Sequence, residues 1–178
     1  MKRVKLLDKE FELSIPEATI INAIKKISDE IDRDLRDKDP LLICVLNGSF
    51  MFASDLMKEM SFNCEISFVK LSSYEGTSTT GKVKHLIGLN EDIKGRHVVI
   101  LEDIVDSGIT IVNIVEQLRK LDPIDVRVAT MLFKPEAYLK DMKLDYIGLR
   151  IPNDFIVGYG LDYNGYGRNL RNIYTVVE

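Results

Sequence analysis

Apolar residues near the start of the chain recur at the spacing of an amphipathic helix. They lie three or four residues apart, which predicts a helix that packs one face on a core. The preceding residues 14–17 (SIPE) fit a capping box, in which Ser14 would accept hydrogen bonds from the first free N–H groups. The apolar positions are Ile20, Ile24, Ile27, Ile31 and Leu35.

Short apolar runs further along the chain are typical of strands that are buried on both faces. The clearest are residues 41–46 (LLICVL) and 98–101 (VVIL). Strands that alternate with helices favour βαβ units and a mainly parallel α/β sheet, with functional residues at the carboxyl ends of the strands. The other predicted elements are strands over 65–71, 83–89, 126–133, 145–151 and 155–159, and helices over 50–60 and 110–121.

Residues 72–82 (SSYEGTSTTGK) have a composition unlike the rest of the chain. They hold six serine or threonine hydroxyls, two glycines and no aliphatic side chain, which predicts a flexible surface loop. Residues 76–82 come close to a Walker A phosphate loop, which would indicate a nucleotide hydrolase. Val83 stands where that motif needs Ser or Thr, and no amphipathic helix pattern follows, so a hydroxyl-rich lid is the favoured interpretation.

The length and composition indicate a single domain over residues 1–178 with an ordinary globular core. Hydrophobic residues make up 46% of the chain and charged residues 29%, which excludes a disordered protein. The net charge of −4, from 24 basic and 28 acidic residues, argues against a nucleic-acid coat, which needs a basic face. An anionic ligand would have to be bound by local groups.

The cysteines and the hydropathy pattern predict the compartment. Cys44 and Cys64 lie in apolar, strand-like stretches without a CxxC motif, so both are expected to be reduced thiols. No stretch has the pattern of a signal peptide or the length of a membrane span. We therefore expect a cytoplasmic protein without nucleic-acid or membrane partners.

The strongest chemical signal is the segment 98–110 (VVILEDIVDSGIT). Glu102 and Asp103 follow the apolar run, and residues 106–110 then turn into a predicted helix. The turn offers backbone N–H groups, hydroxyls and a helix dipole to an anion such as phosphate. The carboxylates suit ribose hydroxyls or a divalent cation instead. The alternative is a plain helix cap by Asp106 or Ser107, which would not need the acidic pair.

Residues 98–110 resemble the phosphoribosyl-pyrophosphate signature of type I phosphoribosyltransferases. More closely, the chain is similar to the hypoxanthine-guanine phosphoribosyltransferase family from about Leu41 to its end. The resemblance implies an α/β fold with a mainly parallel twisted sheet flanked by helices, and a small hood formed by the N- and C-terminal segments. Further matching segments are residues 46–49 (LNGS), Ser73-Tyr74, Lys134 and residues 155–163 (FIVGYGLDY).

This resemblance implies roles for the residues of the signature. Glu102 and Asp103 match the pair that binds the ribose hydroxyls and Mg²⁺. Asp106 matches the catalytic carboxylate beside purine N7, which acts as general base. The 5′-phosphate cradle matches Ser107, Gly108, the amide of Ile109, and Thr110.

For the pyrophosphate group, the resemblance implies the loop Asn47-Gly48, where relatives often have a cis peptide, and a contact from Arg168. An ordinary turn is the alternative for Asn47-Gly48. Relatives carry an arginine a few residues after the position of Lys134, and this chain has none there. Arg168, Lys70 and Lys140 are the candidates to replace it.

For the purine, the resemblance implies that Lys134 donates to the 6-oxo group, that Phe155 stacks on the base, and that Ile156 contacts it. A lysine has only donors, so it favours hypoxanthine or guanine over adenine. Asp162 matches a residue of the purine side that also supplies a second Mg²⁺ carboxylate. Without the family, Lys134 would be a solvated strand-end lysine and Phe155 a core aromatic.

The reaction implied by the family is a Mg²⁺-dependent transfer of 5-phosphoribosyl from phosphoribosyl pyrophosphate to N9 of hypoxanthine or guanine. IMP or GMP and pyrophosphate would be the products, and a lid opened by Ser73 and Tyr74 would exclude water. The family also implies a homo-oligomer, a dimer or a tetramer. A regulatory relative that binds nucleotides without chemistry is the alternative, which the presence of Asp106 and Lys134 disfavours. The sequence leaves open the preference among hypoxanthine, guanine and xanthine.

Overall fold

Ten strands in two sheets and three α-helices make up the part of the chain that the computed structural model describes, residues 2–74 and 83–177. The larger sheet has six strands in the spatial order β5-β4-β3-β6-β7-β8. Their bounds are Leu41–Leu46 (β3), Glu65–Tyr74 (β4), Val83–Ile87 (β5), His97–Val105 (β6), Asp125–Phe133 (β7) and Tyr146–Arg150 (β8).

The central strands of this sheet are parallel, as the alternation of strands and helices predicted. β3 pairs with β4 and with β6, β6 pairs with β7, and β7 pairs with β8, all in parallel. In the described residues the antiparallel pair of this sheet is the hairpin β4–β5 at one edge. The carboxyl ends of β3, β6 and β7 therefore meet at one edge of the sheet.

Helices cover both faces of this sheet, which explains the unbroken apolar runs. Leu42 and Cys44 of β3 pack in the core with α1 (Glu17–Leu35) and α2 (Phe50–Glu59). Leu41 and Ile43 point to the other face and pack with α3 (Ile109–Arg119). Successive residues of a strand point to opposite faces, so every residue of these runs except Leu46, which is half-buried, is buried.

A second sheet forms the hood that the family resemblance implied. It consists of four antiparallel strands in the order β1-β2-β10-β9, and Phe11, Val157 and Tyr174 are buried in its small core. Apolar spacing did not predict three of these strands, because charged residues interrupt β1 and β2, and β10 is short. The bounds are Arg3–Leu6 (β1), Lys9–Ile15 (β2), Ile156–Val157 (β9) and Ile173–Val176 (β10).

The predicted capping box at the start of α1 is wrong. Ser14 is an exposed residue of β2, and the cap position is Pro16, which has no side-chain hydrogen bond. The N–H of Glu17 instead donates to Oδ1 of Asn172 at 2.8 Å. This side chain comes from the far end of the chain, so local sequence carries no signal for it.

Strand β6 is longer than the predicted 98–101. Its pairing with β3 ends at Leu101, but its pairing with β7 continues to Val105, opposite Phe133. Glu102 and Asp103 therefore lie within the strand rather than in a turn after it. The pairing to β7 holds this acidic part extended, while the side toward β3 has no strand pairing beyond Leu101.

Only part of the hydroxyl-rich segment is described. The backbone of residues 72–74, which includes Ser73 and Tyr74, continues strand β4, and residues 75–82 lie outside the described residues. Val83 begins a strand rather than a helix. The helix N-terminus that a Walker A loop requires therefore does not follow Lys82.

Both cysteines are free thiols in the structure, as expected. Cys44 is buried in β3, and this burial raises its pKa to about 12, so its thiol stays protonated and inert. Among the described residues, none of the helices is long and apolar enough to cross a membrane.

Replacing Asn172 with alanine is expected to destabilise the protein by about 1 kcal/mol, because α1 would lose its side-chain cap. Ser14→Ala is the matched control and is expected to leave the free energy of unfolding unchanged. Urea unfolding of the two variants measures the difference. Equal stabilities for both variants would contradict this assignment of the cap.

Candidate active site

Three loops and one C-terminal segment meet at the carboxyl edge of the parallel sheet. The loops follow β3, β6 and β7, and the segment runs over residues 158–168. Lys134, just after β7, donates its backbone N–H to the carbonyl of Val105 at the end of β6. The sequence-predicted site residues of these loops are thereby brought together.

Glu102 and Asp103 form a desolvated pair of carboxylates. Glu102 is 8% exposed, and its Oε2 is buried without a hydrogen-bond partner among the described residues. Burial, and then the charge of Asp103, raises the pKa of Glu102 well above its ordinary value. Burial also raises the pKa of Asp103, whose Oδ1 accepts the N–H of Ile104 at 2.7 Å. Such a pair suits hydroxyl donors or a cation.

The loop after β3 packs directly against this pair. A Cβ on Gly48 would lie 1.5 Å from Oδ2 of Asp103, so any other residue at position 48 would displace the Asp103 carboxylate. A Cβ on Gly160 would in turn lie 1.9 Å from the carbonyl oxygen of Gly48. The peptide bond between Leu46 and Asn47 is cis. Asn47-Gly48 therefore occupies a crowded position at the site and is not an ordinary surface turn.

The loop after β6 forms a small concave site in front of α3. Gly108, with φ of 82°, occupies the cap position and has no side chain to cap the helix, while Oγ of Ser107 accepts the N–H of Ile109 at 3.4 Å. Neither Asp106 nor Ser107 is therefore the cap residue, although Ser107 makes one long hydrogen bond to the first N–H of α3. The free N–H groups of the first turn face an opening suited to an anion. A cavity of about 220 Å³ there is lined by Glu102, Ile104, Val105, Asp106, Ser107, Gly108, Thr110 and Ile111.

Lys134 is a buried cation paired with Asp106. Its Nζ lies 3.6 Å from Oδ2 of Asp106, and its side chain is 9% exposed, against 52% for Asp106. The alternative of a solvated lysine is therefore wrong. The pair presents one donor and one acceptor side by side, with the acceptor open to solvent.

Phe155 is neither fully buried nor free. Its ring is close to those of Phe11 and Tyr163, with centroids 6.3 and 5.9 Å apart, yet the residue is 47% exposed. The hood therefore supports one side of this ring and leaves area for a planar ligand. Ile156 lies in β9 and packs against the core cluster of the α1 face.

Asp162 and Arg168 bind each other. Arg168 Nη2 lies 2.6 Å from Oδ1 of Asp162, and Arg168 Nη1 donates to the carbonyl of Gly160 at 2.7 Å. Oδ2 of Asp162 accepts the N–H of Gly165. Within residues 2–74 and 83–177, no three His, Cys, Asp or Glu side chains are grouped to hold a metal ion.

The three candidates for the missing arginine lie at different places. Lys140 lies next to the loop after β6, because a Cβ on Gly108 would be 3.0 Å from Cγ of Lys140. Lys70 pairs in register with Leu46, the last residue of β3. Lys70 and Arg168 are therefore nearer to the Asn47-Gly48 loop in the fold than Lys140 is.

Two tyrosines near the site were not found from the sequence. A Cβ on Gly108 would lie 2.4 Å from the ring of Tyr138, so this ring covers the loop after β6. The hydroxyl of Tyr159 donates to Asp55 in α2. Tyr138 stands in a polar loop and Tyr159 between two glycines, and neither setting distinguishes a site residue from a surface one.

Comparisons with known proteins agree with this geometry. Residues 16–164 match the phosphoribosyl transferase domain family. The chain is 38% identical over 160 residues to a hypoxanthine-guanine phosphoribosyltransferase of Streptococcus pneumoniae, covering 89% of each chain. It is 40% identical over 163 residues to a hypoxanthine-guanine phosphoribosyltransferase of Streptococcus pyogenes, covering 91% of each.

Solved structures show the same similarity. A hypoxanthine-guanine phosphoribosyltransferase of Bacillus anthracis, with a HEPES molecule in its active site, superposes with a TM-score of 0.85 at 34% identity, covering 93% of this chain and 98% of that one. A hypoxanthine phosphoribosyltransferase of Staphylococcus aureus gives a TM-score of 0.85 at 34% identity, covering 93% and 91%.

The raised pKa of Glu102 predicts how its replacement changes stability with pH. The folded protein favours the protonated form of Glu102. The contribution of Glu102 to stability is therefore fully present below its ordinary pKa of 4.5, and it is lost as the pH rises through the raised pKa of the folded state. Glu102→Gln should therefore become more stable than the wild type with rising pH. The gain is up to about 1.4 kcal/mol per pH unit over that window.

Urea unfolding at several pH values, in buffers without divalent cations, measures this difference. Glu136→Gln, at an exposed position just after Lys134, is the control and should show no such trend. A constant stability difference between Glu102→Gln and the wild type across the pH range would contradict the desolvation of Glu102.

Proposed function

The chain belongs to the phosphoribosyltransferase family and, within it, to the hypoxanthine-guanine phosphoribosyltransferases, and from this premise we propose its reaction. This enzyme of purine salvage transfers 5-phosphoribosyl from phosphoribosyl pyrophosphate to N9 of hypoxanthine or guanine and releases pyrophosphate. The products are IMP and GMP. The observation that carries the proposal is the Lys134–Asp106 pair beside the desolvated carboxylates of β6.

The donor and acceptor of this pair match the edge of a 6-oxopurine. The Lys134 ammonium donates to O6, and the Asp106 carboxylate accepts the N7 proton as N9 attacks C1′ of the ribose. The 6-amino group of adenine is a donor and cannot accept from an ammonium, so the pair selects against adenine. The exposed side of Phe155 provides area on which the base stacks.

The loop after β6 binds the 5′-phosphate. The N–H groups at the start of α3 donate to phosphate oxygens, and that of Ile109 exchanges its long bond to Oγ of Ser107 (3.4 Å) for one to the phosphate. The hydroxyls of Ser107 and Thr110 add further donors. Gly108 allows the backbone to turn at positive φ in front of the helix. A basic protein surface is not needed here, because the helix dipole and oriented amides supply the positive potential.

The carboxylates of β6 accept the ribose hydroxyls. The unpartnered Oε2 of Glu102 and the raised pKa values of Glu102 and Asp103 also fit a divalent cation. We propose that these two residues hold Mg²⁺ together with oxygens of the substrate, because the described residues do not supply a complete protein ligand set. Bound Mg²⁺ neutralises charge that develops on the leaving pyrophosphate.

The pyrophosphate lies at the loop Asn47-Gly48. Arg168 faces this end through its hydrogen bond to the carbonyl of Gly160, which packs on Gly48. Its ion pair with Asp162 places one cation and one carboxylate together, so Asp162 can take part in binding a second Mg²⁺ only in competition with Arg168. The lid role of Ser73, Tyr74 and the following residues, and assembly into a dimer or tetramer, remain predictions.

A direct assay tests the proposal. The protein is mixed with Mg²⁺, phosphoribosyl pyrophosphate and one of hypoxanthine, guanine, xanthine or adenine, and nucleotide formation is followed. We expect IMP and GMP and no AMP. No product from any base, with nucleotide binding retained, would favour a regulatory binding protein instead.

Replacing Asp106 with asparagine is expected to lower kcat with hypoxanthine by about 100-fold or more, because the general base is lost while the shape is kept. Steady-state kinetics at saturating phosphoribosyl pyrophosphate measure the effect. Asp37→Asn, at an exposed position far from the site in sequence, is the control and should retain wild-type kcat. A kcat within a few-fold of wild type for Asp106→Asn would refute the proposed role.

A further inference from the structure

Tyr159 connects the C-terminal segment to helix α2 through a partly buried hydrogen bond. The residue is 4% exposed and packs in the core cluster of the α1 face. Its hydroxyl donates to Oδ2 of Asp55 at 2.5 Å and lies 3.4 Å from the carbonyl oxygen of Met51. Burial, and then the bond to Asp55, raises the pKa of Tyr159, so the hydroxyl remains a donor at all ordinary pH values.

The backbone around Tyr159 has an unusual conformation that needs such support. Gly158, Tyr159 and Gly160 have φ values of 100°, 48° and 96°, and a positive φ is uncommon for a tyrosine. The N–H of Tyr159 donates to the carbonyl of Leu170, and the N–H of Gly160 donates to the carbonyl of Arg168. The Tyr159 side chain therefore helps to fix where Gly160 lies.

Gly160 packs directly on Gly48, so the position of Gly160 affects the site. A Cβ on Gly160 would lie 1.9 Å from the carbonyl oxygen of Gly48, and a Cβ on Gly48 would lie 1.5 Å from Oδ2 of Asp103. A shift of Gly160 therefore changes the space available to Gly48 and Asp103, because these contacts leave no gap.

Asp55 lies in α2, the helix that follows the Asn47-Gly48 loop. Helix α2 starts directly after the loop, with Ser49 at its cap position and the N–H of Ala53 donating to the Ser49 carbonyl. Lys58 lies 2.5 Å from Oδ1 of Asp55, which leaves Oδ2 to the hydroxyl of Tyr159. The hydrogen bond thus ties the helix that follows the loop to the segment that packs on it.

We propose that Tyr159 and Asp55 form a positioning pair that sets the geometry of the Asn47-Gly48 loop at the pyrophosphate end of the site. The inference rests on the proposed function, since that loop is where pyrophosphate binds. Neither side chain contacts the substrate: the pair acts through Gly160 and Gly48. Removing it should weaken binding of phosphoribosyl pyrophosphate and pyrophosphate while leaving the purine side unaffected.

The test is Tyr159→Phe, which keeps the ring and removes the hydroxyl. We expect the KM for phosphoribosyl pyrophosphate, and the KM for pyrophosphate in the reverse reaction, to rise by roughly tenfold, equivalent to about 1.4 kcal/mol. The KM for hypoxanthine should stay at the wild-type value. An unchanged KM for phosphoribosyl pyrophosphate, or an equal rise in the KM for hypoxanthine, would overturn the proposal.

Tyr146→Phe is the matched control. Tyr146 is also a buried tyrosine with a hydroxyl bonded to an aspartate, Asp34, but it lies at the start of β8, away from the carboxyl edge of the sheet. The Tyr146→Phe variant should lose about as much free energy of unfolding, measured in urea, as Tyr159→Phe does. All of its KM values should stay at the wild-type values. A similar rise in the KM for phosphoribosyl pyrophosphate in this control would reduce the effect to general destabilisation and overturn the proposal.

A double-mutant cycle tests whether the two residues act as one unit. Asp55→Ala should raise the KM for phosphoribosyl pyrophosphate as Tyr159→Phe does, and the double variant should be no worse than either single variant. Additive effects would overturn the pairing. If the wild type itself forms no nucleotide, the proposed function fails, whereas wild-type activity with unchanged Tyr159→Phe kinetics refutes the positioning pair alone.

Discussion

Two adjacent carboxylates held out of water at the end of β6 are the constraint on which the site depends. Glu102 is buried and Asp103 partly buried, because β7 holds this part of the strand extended and the loop after β3 packs against it. A desolvated carboxylate costs free energy until it gains a proton, a donor or a cation. The protein is therefore less stable than it would be with an apolar pair at these positions, and in the proposed reaction ribose hydroxyls and a divalent cation would compensate this cost on binding. Gly48 is required for the same reason, since any side chain there would collide with Asp103.

The charge distribution follows from this local design. A protein with a net charge of −4 binds a strongly anionic substrate in the proposed reaction. Backbone amides in front of α3 and a few placed cations provide the attraction, and the buried carboxylates face hydroxyls or metal rather than phosphate. Lys134 is buried and pairs with Asp106, so in the proposed reaction the purine edge meets an ion pair that exists before the base arrives. Net charge describes the whole surface, whereas binding depends on the few groups that face the ligand.

Residues 155–172 join the hood to the main sheet. Asn172 caps α1, Tyr159 binds α2, and Arg168 binds the carbonyl of Gly160 against the loop after β3. Phe155, at the start of this region, is supported by Phe11 of the N-terminal hairpin. Phe155 and the proposed pyrophosphate loop thus rest on the same stretch of chain. In the proposed reaction this one stretch would help to position both substrates.

The sequence by itself determined the parallel sheet, the three helices and the chemical types of the site residues. Periodic apolar positions such as Ile20 and Ile24 reflect burial that is repeated along one element, so the pattern is visible locally. The acidic pair and the phosphate turn were visible for the same reason, because their residues are neighbours in the chain. Only the tertiary structure decided the cap of α1 by Asn172, the extension of β6 through Glu102, and the support of Gly160 by Tyr159. These features arise from contacts between residues far apart in sequence, and no local pattern encodes which distant side chain will fill a given space.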